Sequence, residues 1–156
     1  MHQTAHAATE VGCDPGTAFT VFTDRIGQWW KGSGHWMDPE RAIDLRFVHE
    51  PERRLVEIYD DAAQDEFTLG HVTVWEPGHR VSFGWRHPDW PADAGTDVHV
   101  RFEPTTSGTR VELKHRGWEH VPPPPSDHGP AWAPIYSEGW SALLGRYAQA
   151  AESHRR

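Results

Sequence analysis

At Arg41 the apolar pattern of this chain changes period. Before it, apolar residues recur three or four apart; after it they alternate with polar ones to about residue 116, and a single long helical stretch then closes the sequence. Strand side chains point alternately to opposite faces, whereas a helix gathers residues three and four apart onto one stripe. The alternating part divides into candidate strands at 42–48, 54–60, 66–76, 80–87, 96–103 and 109–116. Their separators, Glu50-Pro51, Asp60-Asp61, Pro77-Gly78, Pro91 to Gly95 and Ser107-Gly108, are turn chemistry. Links this short imply antiparallel neighbours.

The clearest alternation sets Val81, Phe83 and Trp85, then Val98, Val100 and Phe102, then Val111, Leu113 and His115 on one inward face. The stretch from Phe67 to Trp75 is ambiguous, because Phe67, Leu69, His71, Thr73 and Trp75 compete with Val72 and Val74 for that face. A bulge would exchange them. Residues 3–12 form a weaker candidate strand. Asp14-Pro15 then reads as a helix start, followed by a stripe of Ala18, Phe19, Phe22, Ile26, Trp29 and Trp30 that Asp24 or Gly27 divides into two short helices. Gly32 to Trp36 forms a loop.

The segment Val121-Pro122-Pro123-Pro124-Pro125-Ser126 cannot donate to a ladder or enter a helix interior, which makes it an extended connector. The final helix is expected from about Pro134 to Glu152, roughly 28 Å at 1.5 Å per residue. Trp132 at its approach and Tyr136, Trp140, Leu143, Leu144 and Tyr147 along it form the stripe that faces the sheet. Gly139 within it costs about 1 kcal/mol relative to Ala, which close packing or cavity space would explain. One α+β domain spanning 1–156 accommodates all of this, since domains usually hold roughly 100 to 200 residues.

Leu, Ile, Val and Phe number 27 of 156 residues, a low aliphatic content that nine Trp and three Tyr offset. Each large aromatic buries on the order of 150 to 250 Å², which implies an aromatic-rich core. The formal charge of −8 and the lack of any Lys/Arg run longer than a pair exclude nucleic acid as a partner. The single cysteine, Cys13, leaves no intramolecular disulfide and fits a reducing compartment, with the cytoplasm as the expected location. The N-terminal MHQTAHAATEVG has neither the basic start nor the apolar stretch of a signal peptide. No apolar run approaches the roughly 18 residues that a membrane span needs. Twelve His make the net charge sensitive to pH below about 6.5.

This order of strand, two short helices, six antiparallel strands and one long helix resembles the START-like (SRPBCC) superfamily, in which a curved sheet of about seven strands grips a C-terminal helix. Within it the chain is most similar to the group of activator-of-heat-shock-protein-ATPase homologues. The likeness covers nearly the full length and rests on Trp29-Trp30, Gly70-His71-Val72 before Glu76-Pro77, Val81 to Trp85, Gly108-Thr109 with Val111-Glu112-Leu113, His115, Gly117-Trp118, and Tyr136 to Trp140. The four-proline connector and the tryptophan load depart from the group's pattern. The resemblance implies a cavity with a variable lining and no shared catalytic residues.

Trp85, His115, Trp118, Tyr136 and Trp140 should converge, with Trp36 supplied by the loop. Pocket lining and filled core look alike in sequence, so both readings stand. With His71 and Phe83 added, these residues make up the expected ligand-binding set for a small hydrophobic or aromatic molecule held between the sheet and the last helix, His115 orienting it. The alternatives are a cavity enzyme of cyclase, hydrolase or dehydratase type using His115 or His71 as acid–base group, and a co-chaperone-like module that contacts another protein. A neutral core histidine competes with any active role for His115. Metal ligation by His71, His87 and His115 from separate strands has no motif behind it, since no His-x-His pair exists and the His2/His6 spacing falls outside a catalytic helix. Neither Cys13 nor Ser137 sits in a nucleophile motif, and the acidic pairs Asp60-Asp61 and Asp65-Glu66 read as solvated turn charge. No cofactor is implied, and a homodimer is the assembly held open.

Overall fold

The computed structural model describes residues 3–125, 129 and 131–154; Ser126 of the connector, His2 and the Arg155-Arg156 pair lie outside them. Strand β1 (Ala5–Val11) leads into α1 (Pro15–Thr23) and α2 (Ile26–Trp30). There follow β2 (Asp44–Val48), β3 (Arg54–Asp60), β4 (Asp65–Glu76), β5 (Arg80–Trp85), β6 (Thr96–Thr105) and β7 (Gly108–Arg116), and α3 (Trp132–Ser153) closes the chain. The strands form one curved antiparallel sheet in the order β1-β7-β6-β5-β4-β3-β2, wrapped around α3 in the expected helix-grip arrangement. The hairpin meander follows from the short turns, and only β1 pairs with a strand distant in sequence, β7, in register from Ala5 opposite His115 to Val11 opposite Thr109.

Pro15 occupies the first turn of α1, and the carboxylate of Asp14 before it accepts the Thr17 hydroxyl at 2.6 Å. That bond holds the Asp14 carboxyl below the ordinary aspartate range. The stripe breaks at Asp24-Arg25, the first of the two expected positions. Helix α3 begins two residues earlier than Pro134 suggests. Proline is tolerated throughout the first turn, where no N–H is needed, so Trp132 and Ala133 can precede it.

All nine residues assigned inward on β5, β6 and β7 are buried. On β4 the bulge decides the matter. Pairing with β3 shifts register beside Gly70, and pairing with β5 shifts again between Val72 and Val74. As a result Leu69, Val72 and Trp75 pack against the core although their spacing is odd, and His71 turns outward. A Cβ on Gly70 would stand 2.0 Å from the Gly84 carbonyl oxygen, so only glycine lets β4 cross β5 this closely.

Edge-to-face ring contacts seat α3. Tyr147 meets Phe22 at 5.4 Å and Trp29 at 5.5 Å, and Trp30 meets Trp140 at 5.8 Å. Such pairs add about 0.5–1.5 kcal/mol each beyond the area they bury. The Tyr147 hydroxyl donates to the Ala18 carbonyl at 2.8 Å, and Arg146 donates to the Trp29 and Lys31 carbonyls, so α1 and α2 are clamped to α3 by both packing and hydrogen bonds. Replacing Tyr147 by Phe should lower unfolding stability by about 1 kcal/mol, the net value of one buried hydrogen bond, and by Ala about 3–5 kcal/mol; urea titration measures both.

Candidate functional site

A cavity of about 570 Å³ lies between the first half of α3, the loop after α2, the segment after β5 and the proline connector. Six of the nine tryptophans line it: Trp30, Trp36, Trp85, Trp90, Trp132 and Trp140. Exposed Asp89, Pro122, Pro123 and His35 surround its opening, and Gly139 leaves space on the α3 side.

Of the residues singled out in the sequence, Trp36, Trp85, Tyr136 and Trp140 lie on the cavity wall. Phe83, His115 and Trp118 are buried outside the lining. Phe83 is 5.3 Å from Phe47 in the main core. Trp118 belongs to a smaller cluster with Trp90 and Trp132, its indole donating to the His115 carbonyl at 2.9 Å. His71 is not brought to the site: the β4 bulge leaves its side chain 60% exposed, 3.3 Å from the Glu52 carboxylate.

His115 is fully enclosed, and its hydrogen bonds settle its form. The Trp140 indole N–H can only donate, so Nδ1 accepts it at 3.0 Å and Nε2 must carry the ring proton. Nε2–H donates to the Thr96 hydroxyl at 2.7 Å, which donates in turn to the Trp85 carbonyl at 2.9 Å. Every valence of the ring is used. Burial, reinforced by His87 and His99, pushes its protonation well below the ordinary histidine range. The arrangement is that of a neutral core histidine joining α3 to β7, β6 and β5.

A second polar group lies on the cavity wall itself. The Trp85 indole donates to the Tyr136 hydroxyl at 3.1 Å, and that hydroxyl is 2.6 Å from His87 Nε2. The His87 ring stacks on Trp90 at 4.4 Å and 14°. Burial lowers the His87 pKa and raises that of Tyr136 to about 12, so both are neutral near pH 7. Sequence reasoning weighed His87 only as a metal ligand; its value emerges from the meeting of the β5 end with α3. Among the described residues no three His, Cys, Asp or Glu side chains converge as metal ligands.

Glu57 on β3 is the other residue without a signal in the sequence. It is 1% exposed, and its carboxylate accepts the backbone N–H groups of Met37 at 2.8 Å and Asp38 at 2.9 Å, together with the Tyr59 hydroxyl at 2.8 Å. These charge-assisted bonds hold the loop that carries Trp36 and Met37 into the wall. Burial and the adjacent Glu57 raise the Tyr59 pKa.

The family model described as activator of Hsp90 ATPase homolog 1-like protein matches residues 13–152. The chain belongs to this family. Solved structures support the same fold for this family member. Protein MLL2253 from Mesorhizobium loti is 18% identical, with 97% of this chain and 98% of that one covered at a TM-score of 0.66. Mll3558 from Rhizobium loti is 20% identical over 96% and 97% at 0.66, and a protein from Rhizobium leguminosarum is 13% identical over 98% and 96% at 0.66. At these identities the likeness is one of fold. No curated protein matches the chain. Among the described residues no helix is long and apolar enough to cross a membrane.

Two outcomes are expected. The depressed pKa values of His35, His87, His99 and His115 mean that the unfolded chain binds more protons below about pH 6.5. Stability should therefore hold above that pH and fall as pH drops through the histidine range, before the lowered carboxylates of Asp14 and Glu112 matter. Urea midpoints at several pH values measure this. Glu57→Gln, which keeps one carbonyl acceptor but sets an amide N–H₂ against the second backbone donor, should cost about 1–3 kcal/mol and accelerate hydrogen exchange at the Met37 and Asp38 amides.

Proposed function

We propose that this protein binds a small hydrophobic or aromatic molecule in the cavity between the sheet and α3. The observation that carries the reading is the wall itself. Six indoles surround about 570 Å³ of space, within the range of roughly 300–1,000 Å³ usual for small-molecule pockets. Indoles combine a large apolar face with a single N–H, which suits a flat ring compound better than a flexible chain of polar groups. Gly139 supports the reading, since it leaves the α3 side of the cavity open: a Cβ there meets nothing closer than His35 at 3.5 Å.

Activity as a cavity enzyme through His115 has less behind it, because both ring nitrogens are already committed. A protein-contact module calls for a continuous exposed apolar surface, and Ile43 is the one large hydrophobic side chain left exposed among the described residues.

The test is a titration of tryptophan fluorescence with a panel of aromatic and alicyclic compounds, run beside native mass spectrometry of the purified protein. Quenching that saturates is expected for part of the panel, and silence across it removes the reading. Gly139→Leu should fill the cavity and weaken binding about tenfold or more. Its unfolding midpoint should stay level or rise, because leucine favours the helix by about 0.5–1 kcal/mol over glycine.

A further inference from the structure

The polar edge of this cavity has a definite sense that follows from counting protons. Trp85 Nε1–H, the Tyr136 O–H and the single ring proton of neutral His87 are three donors joined through two contacts. If the Tyr136 hydroxyl donates to His87 Nε2, the proton on His87 Nδ1 has no partner within the group. If instead His87 Nε2–H donates to Tyr136, the phenolic proton is the spare one. Either tautomer leaves one donor unused on a side chain that lines the cavity.

The rest of the wall offers an anionic ligand little counter-charge. Pro122, Pro123 and Pro125 contribute no N–H, and the Pro122 carbonyl is already taken by the Trp132 indole at 2.7 Å. Among the described residues no Lys or Arg lines the cavity, and the one carboxylate, Asp89, stands exposed at its rim. A ligand carboxylate would enter without a counter-charge, and burying an unpaired anion is strongly unfavourable.

We infer that the cavity selects neutral ring compounds bearing a hydrogen-bond acceptor, a carbonyl oxygen above all, with His87 and Tyr136 as the donating pair. This rests on the ligand-binding reading above and names the chemistry of its ligand. A ketone on a fused ring gives the spare proton an acceptor while the rings lie against the indoles.

Three probes of one ring system separate the outcomes: tetralin, α-tetralone and tetrahydronaphthoate, each measured by equilibrium dialysis. α-Tetralone should bind about tenfold more tightly than tetralin, the worth of one well-formed hydrogen bond in an apolar site, and tetrahydronaphthoate should bind more weakly than either. The infrared carbonyl band of bound α-tetralone should lie below its position in hexane. His87→Glu supplies a carboxylate that accepts the Tyr136 proton and leaves no donor over, so the preference for ketone over hydrocarbon should disappear while tetralin still binds. Equal affinity of ketone and hydrocarbon, a carbonyl band at its hexane position, tightest binding by the carboxylate, or a ketone preference retained in His87→Glu each overturns the inference and leaves ligand binding standing. Failure of all three probes to bind the unaltered protein overturns both.

Discussion

The hydrogen bond from the Trp140 indole to His115 ties the grip together. It joins the middle of α3 to the inward face of β7 and continues through Thr96 on β6 to the backbone of Trp85 on β5. Three neighbouring strands and the helix they enclose are thereby fixed in one relative position, in a setting where polar groups are tolerated only because each has its partner. The neutral ring is essential to this. A protonated His115 would carry an unpaired charge in the interior and present a proton where the Trp140 donor already points.

With α3 seated there, the rest of the packing divides into two regimes. Toward its C-terminal half, Tyr147, Leu143 and Leu144 fill the space against α1, α2 and the sheet, and the main core is continuous. Toward its N-terminal half, Tyr136 and Trp140 meet Trp85 edge-on and Trp132 meets Trp90 edge-on, and the cavity lies against these rings. Glu57 helps keep it walled, because its carboxylate accepts the Met37 and Asp38 amides and ties the loop bearing Trp36 to β3.

Membership of the activator of Hsp90 ATPase homolog 1-like family accords with this architecture, but the chemistry of the hollow belongs to this chain's own residues. The proline-built side of the opening comes from the four-proline connector, one of the two features that depart from the family pattern seen in the sequence.

Much of this was legible before any coordinates. Period-two alternation and short turns determined the antiparallel meander, because strand side chains must alternate and short links cannot cross over. Three- and four-residue spacing determined α1, α2 and α3, and the convergence of Trp36, Trp85, Tyr136 and Trp140 followed from placing those patterns face to face. The tertiary structure alone decided the remainder. A bulge beside Gly70 shifts the facing by one residue until a second shift between Val72 and Val74, which is why His71 lies outside while Val72 lies within. Whether a buried aromatic fills a core or lines a hollow depends on how rings meet in three dimensions, and period carries no record of that. His87 and Glu57 acquire their roles from groups 49 and about 20 residues away, contacts that no local pattern encodes because hydrogen-bond geometry is set only once the strands and helix are in place.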